Sequence, residues 1–230
     1  MFDEITEGLK GAFNLITTFN GELYEIIALT LVVTIISTCI SAAAGLPFGV
    51  FIGSRSFRGK KLLGSLVNTF MGLPPVVAGL IVYIFLSRKG PLGSLQLLFT
   101  PAAMVIAQVI IIFPIITGLS MAAVKLRNSA VQETCKGLGI GKFKTLFILI
   151  YECRYPLISG LLAGYGRAIS EVGAVMLVGG NIEHSTRVMT TAIVLETGKG
   201  EYSNAIAIGI VLLLISFIVN WAVRRFQEEK

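Results

Sequence analysis

The sequence predicts an all-α, polytopic membrane protein with about five transmembrane helices, and three observations predict it. Mean hydropathy is +0.83, and only 14% of the 230 residues are charged, where a soluble domain carries about 25%. Several charge-free runs exceed the roughly 20 apolar residues that a helix needs to cross a bilayer. The basic residues behind the net charge of +6 sit between these runs rather than in one patch, so membrane topology explains them better than nucleic-acid binding.

The chain reads as one domain, 1–230, with neither an internal repeat nor a low-complexity tract. In residues 1–20, Phe2, Ile5, Leu9, Phe13 and Ile16 recur at helical spacing while Asp3, Glu4, Glu7 and Lys10 face elsewhere. That pattern predicts a short interfacial helix or, equally, a loosely ordered terminus. The first residues are acidic rather than basic, so no cleavable signal peptide is expected.

The first span is expected over Ile26–Gly53. Gly45, Gly49 and Gly53 repeat there at four-residue spacing and make a smooth face for close helix packing; Pro47 is a candidate kink. Arg55, Arg58, Lys60 and Lys61 form a basic turn. The second span, about Leu62–Leu86, contains Pro74 and Pro75, which remove two amide donors in mid-membrane. Either the break lines a transport path or it is a structural kink. A third span is expected over Pro101–Val124, with Pro114 inside it. A fourth runs from about Tyr155 to Gly180, and a last from Ala205 to Val223. Between these two, the polar stretch Asn181–Asn204 has an apolar middle, Val188–Leu195, that dips into the membrane without crossing.

Five spans put the termini on opposite sides. With the N-terminus outside, thirteen Lys and Arg fall in inner segments and five in outer ones. The positive-inside rule therefore favours N-out, C-in, with residues 125–154 in the cytosol.

Few residues carry chemistry. Arg167 and Glu171 are the only charges expected inside a span, at a cost of about 2.5–3.5 kcal/mol each on insertion scales. At i and i+4 on one helix they are either a structural ion pair or a pore-lining or gating pair, with Gly173 allowing tight packing nearby. Cys39, Cys135 and Cys153 lack metal-ligand spacing and are expected to be free thiols. His184, the single histidine, supports no nucleophilic triad. A Gly-x-x-x-x-Gly-Lys-Ser/Thr phosphate loop is absent, so any ATP hydrolysis would belong to another chain.

The most polar long interval is Val131–Pro156. Ser129 with Gln132 three residues on fits a capping box, predicting a helix from Ala130. Gly137 and Gly139 then supply a left-handed stop, and Lys142 and Lys144 begin a second segment that turns apolar at Leu146. A helix, a glycine break and a second helix held between spans make a knob suited to docking in the cytosol; the alternative is an ordinary basic loop.

This interval resembles the cytoplasmic EAA loop of ABC importer permeases. Glu133, Thr134 and Cys135 take its first three places and Gly139 its glycine, while Tyr151 and Glu152 stand where Leu-Pro belongs. The segment NTFMGLPPVVAG resembles the proline-pair segment of oxyanion importer permeases. GRAISEVGAVMLVGGNI, Gly166–Ile182, resembles the molybdate and tungstate branch, most closely its tungstate type. The resemblance implies a type I importer: two permease copies, two cytosolic ATPases holding ATP and magnesium, and an extracellular oxyanion-binding protein, in the cytoplasmic membrane of a prokaryote. It assigns Glu133, Thr134, Cys135, Gly137 and Gly139 to ATPase coupling, with Ala130 to about Leu138 as the coupling helix. Pro74, Pro75, Arg167, Glu171 and Gly173 become candidates for the path or gate. Rival readings are a permease for sulfate or another small solute, and a secondary transporter or channel acting alone, for which inverted repeats and midplane acids would be expected.

Overall fold

The structure is a computed structural model that describes Gly11 and residues 21–228. The expected interfacial helix in 1–20 lies outside the described residues. The helices are α1 (Gly21–Ser54), α2 (Lys60–Met71), α3 (Pro75–Leu86), α4 (Pro101–Gly137), α5 (Lys142–Glu152), α6 (Arg154–Ile169), α7 (Gly173–Gly179), α8 (Met189–Lys199) and α9 (Tyr202–Glu228), with a 3-10 turn at Gly93–Leu95. Three of them, α1, α4 and α9, are long and apolar enough to cross a membrane alone. The pairs α2 with α3 and α5 with α6 qualify as broken spans, which brings the total to as many as five.

The boundaries follow from sequence chemistry. α1 and α4 continue through Pro47 and Pro114. The Lys60 ammonium donates to the carbonyls of Arg55 (2.7 Å) and Gly53 (3.4 Å), satisfying acceptors left over at the end of α1. The Pro74–Pro75 pair ends one helix and starts another: α2 closes at Met71, and Pro75 takes the first position of α3, where its missing N–H costs nothing.

The fourth span departs from expectation. α6 follows α5 across a 60° bend, so the two together are a candidate broken span or a re-entrant pair, and α6 stops at Ile169 rather than running on to Gly180. Ser170–Val172 interrupt it, and α7 is a separate two-turn helix closed by Gly180 at φ +72°. One distant and one local partner hold this break: the Thr190 hydroxyl donates to the Glu171 carbonyl at 2.9 Å, and the Ala174 amide, three residues on, donates to Glu171 Oε1 at 3.0 Å. Irregular backbone at membrane depth needs such internal partners. The apolar middle of the following return is α8, at 11 residues too short to cross.

Contacts divide the chain into two compact units. One takes the chain up to Ile36 with Pro75–Gln108 and Ile169 onward; the other takes Ser37–Pro74 and Val109–Ala168. In the first, Leu23, Ile26, Met189, Ala192, Ala207, Ile208 and Val211 form a core joining α1, α8 and α9. The Thr30 hydroxyl accepts from the first amide of α8, Met189, at 2.9 Å. α3 lies against α7 closely enough that a Cβ on Gly79 would sit 2.6 Å from Ala174 Cα.

The second unit is built around α4. The glycine face of α1 packs as its spacing predicts: a Cβ on Gly49 would lie 2.5 Å from the Thr117 carbonyl oxygen, and one on Gly53 2.9 Å from that of Met121. α6 approaches the same helix through Gly164, whose Cβ would lie 2.6 Å from Ile116 Cγ1. At the far end Val50, Val124, Leu149, Cys153 and Leu157 close a small core.

Candidate functional site

The segment expected to couple to a partner belongs to the second unit. Its helix does not start at Ala130. α4 is continuous from Pro101 to Gly137, so Ser129 and Gln132 form no capping box. Nothing between Val124 and Gly137 breaks a helix, and tertiary contacts hold this stretch in place. The Asn128 amide donates to the Ser54 carbonyl at 3.2 Å, and Gln132 donates to Asn128 Oδ1 at 3.0 Å and to the same carbonyl at 3.4 Å. A 37-residue helix is about 55 Å long, so the end beyond Val124 projects well past a hydrocarbon core of about 30 Å.

Termination at Gly139 holds, whereas Gly137 is an ordinary last-turn residue. Among the described glycines, Gly59, Gly139, Gly180 and Gly200 have positive φ, Gly139 at +68°. The Gly139 amide donates to the Lys136 carbonyl at 3.1 Å and the Ile140 amide to that of Cys135 at 2.8 Å. This is the paired closure of a Schellman motif, and it tucks Cys135 in at 3% exposure. Glu133 and Thr134 remain exposed. The Thr134 hydroxyl bonds back to the Ala130 carbonyl at 3.0 Å, while the Glu133 carboxylate has no partner among the described residues. The knob is thus one rigid helix end, a left-handed glycine turn and α5.

Sequence reasoning missed what braces this knob. Arg127 and Glu152 approach at 3.8 Å, and the Cys153 thiol points at the Ala123 carbonyl at 3.7 Å. The i, i+4 spacing of Asn128 and Gln132 was the available signal, legible only once the helix is known to continue.

The path candidates divide between the units. In the first, Gly173 opens α7 beside the start of α3: its Cβ would come within 2.9 Å of Val76 Cγ2 and 3.7 Å of Glu171 Oε1. Pro75, Glu171 and Gly173 therefore gather where two helices begin. Glu171 is 3% exposed. In the second unit, Pro74 is exposed and Arg167 half-buried in the last turn of α6. α6 ends at Ile169, so Arg167 and Glu171 do not lie on one continuous helix as expected.

A charged cluster at the end of the first unit was not expected as a group. Arg187 reaches Glu22 at 3.3 Å and Glu183 at 3.5 Å, and His184 Nδ1 lies 2.7 Å from Glu25 Oε2. They edge a cavity of about 350 Å³. The hydrogen bond to Glu25 raises the His184 pKa above its ordinary value, with the charges of Glu25 and Glu183 adding to it. Among the described residues, no group of His, Cys, Asp or Glu could hold a metal ion.

Comparison with known proteins agrees with this architecture. Residues 45–229 match the family described as binding-protein-dependent transport system inner membrane component. The chain is 44% identical to the tungstate uptake system permease protein TupB of Peptoclostridium acidaminophilum, across 98% of this chain and 99% of that one. It is 41% identical to a probable anion ABC transporter permease protein of Haloferax volcanii, across 90% and 91%. The TupB of Campylobacter jejuni is 36% identical, across 98% and 95%.

Proposed function

Because the chain belongs to the binding-protein-dependent transport system inner membrane component family, we propose that it is the permease subunit of an ATP-driven importer that carries tungstate, or molybdate, across the cytoplasmic membrane by alternating access. The observation that carries this reading is the 44% identity to a tungstate permease along nearly the whole of both chains. Its relatives are permease proteins; the hydrolysis of ATP, with magnesium, falls to two separate cytosolic ATPase subunits. A second permease copy completes the pathway, and an extracellular binding protein delivers the oxyanion.

In this reading the end of α4 is the coupling element. An exposed carboxylate without a partner among the described residues, on a helix end held by Asn128, Gln132 and Gly139, suits contact with another protein. Because the turn is rigid, motion of the ATPases would pass directly into α4 and, through the glycine-floored contacts, into α1 and α6. Substrates would pass where helices begin and break, near Pro75, Glu171 and Gly173. Such a cycle is a two-state switch in which each ligand favours the state it binds better.

The test is uptake by the assembled transporter, with tungstate, molybdate and sulfate in competition. Glu133→Lys places a cation where an acid is solvent-exposed and unpaired, so the variant should reach the membrane at normal levels and lose uptake. Wild-type uptake in that variant would remove the coupling role. Preferential uptake of sulfate would replace the substrate.

A further inference from the structure

α5 has two apolar faces, and among the described residues only one of them has a partner. Leu146 and Leu149 point inward, Leu149 at 1% exposure, and pack with Val50, Val124 and Leu157. On the other side Phe143, Phe147 and Tyr151 are 77%, 59% and 63% exposed. The Phe143 and Phe147 rings meet edge to face at 5.1 Å between centroids. A row of exposed aromatics on a short helix beside membrane spans is a surface meant to be covered.

The chemistry around that row indicates by what. Lys144, Phe147, Ile150, Tyr151 and Arg154 border a groove of about 570 Å³. Two of its lining residues are cations and none is an acid; the nearby Glu152 is drawn to Arg127. The Arg154 guanidinium lies 4.0 Å above the Tyr151 ring and 4.5 Å above that of Tyr155. Its Nη1 donates to the Tyr151 carbonyl at 2.9 Å, which fixes the charge at the rim. Tyr155 also lines a second groove of about 590 Å³ with Leu119, Ala123, Pro156, Ser159 and Gly160. That groove runs over apolar stretches of α4 and α6, and Gly160 presents no side chain to fill it.

We infer that this corner of the second unit binds an anionic phospholipid, its phosphate between Lys144 and Arg154 and an acyl chain in the Leu119–Gly160 groove. Positive charge at the rim of one groove, with Arg154 stacked on the tyrosine that lines a second, apolar groove, is complementary to that molecule and not to a water-soluble anion. Amphipathic rings and basic side chains such as those of α5 are favoured in the interfacial layer of a bilayer.

The test uses the full-length permease in its assembled transporter, delipidated in detergent and titrated with phosphatidylglycerol or phosphatidylcholine under native mass spectrometry. Wild-type protein should retain phosphatidylglycerol preferentially. Each cation removed should lower that preference about fivefold, so Lys144→Gln and the pair Lys144→Gln with Arg154→Gln form a graded series. Since Arg154 also braces two tyrosines, the exposed Lys144→Glu supplies a charge test that leaves those contacts in place. Ser159→Leu should weaken retention of both lipids together by filling the groove. Equal retention of the two lipids by wild type, or an unchanged preference in Lys144→Glu, would overturn the assignment. So would a photo-crosslinker at Phe147 or Ser159 that labels a second permease copy or the ATPase and not lipid.

Discussion

His184 and Glu25 show how much a single exposed pair reports. The imidazole gains a carboxylate partner on folding, so its folded pKa lies above the unfolded value near 6.5. The sign follows: the pair's contribution is full below the unfolded pKa and fades as pH rises through the raised folded one. Titration of the His184 ring by NMR should therefore give a midpoint above 6.5, and Glu25→Gln should bring it down. An unchanged midpoint would mean that the hydrogen bond is not made in solution. At the same scale, Gly139 was legible because only a residue without Cβ occupies φ +68° without strain. Glu133 was legible as a motif position, but its lack of a partner among the described residues was not. The Glu171 contact with Thr190 was invisible, since 19 residues separate the threonine from its acceptor.

Among the elements, α4 carries the most consequence. It accepts the glycine faces of α1 and α6 along its middle and extends past the membrane to form the knob. The backbone contact at Gly49 leaves no room for a methyl, because a Cβ would stand 2.5 Å from the Thr117 oxygen. Gly49→Ala should therefore destabilise by about 1–3 kcal/mol, as overpacking does. Gly64→Ala is the control. Its Cβ would meet Met121 Sδ at an ordinary 3.7 Å, and alanine in a helix interior should gain about 0.5–1 kcal/mol. Thermal unfolding of the detergent-solubilised variants distinguishes the two, and equal melting would mean that the α1–α4 approach is looser than described. The glycine spacing alone predicted this packing. The helix start at Ala130 failed because a capping box is a local preference, whereas the hydrogen bonds to Ser54 come from another helix.

For the whole molecule, the arrangement of three long helices and two broken pairs agrees with a five-span permease. Which end faces the cytosol rests on charge: thirteen basic residues against five. In a background with Cys39, Cys135 and Cys153 replaced by alanine, Lys136→Cys should react with a membrane-impermeant thiol reagent only after the cells are opened. Lys199→Cys should react from outside. The reverse pattern would invert the topology and remove the knob from the reach of an ATPase.

The sequence by itself determined the class, the membrane setting, most span boundaries and the family resemblance. Hydropathy and charge accumulate along the chain, and proline and glycine act where they stand. Only the tertiary structure decided that α4 runs on to Gly137, that α6 stops at Ile169, and that Glu171 lies in a break rather than on a helix face. Each of those outcomes depends on a donor or acceptor supplied from a distant part of the chain. A buried backbone group takes the partner that the fold brings to it, and no local pattern announces which partner that will be.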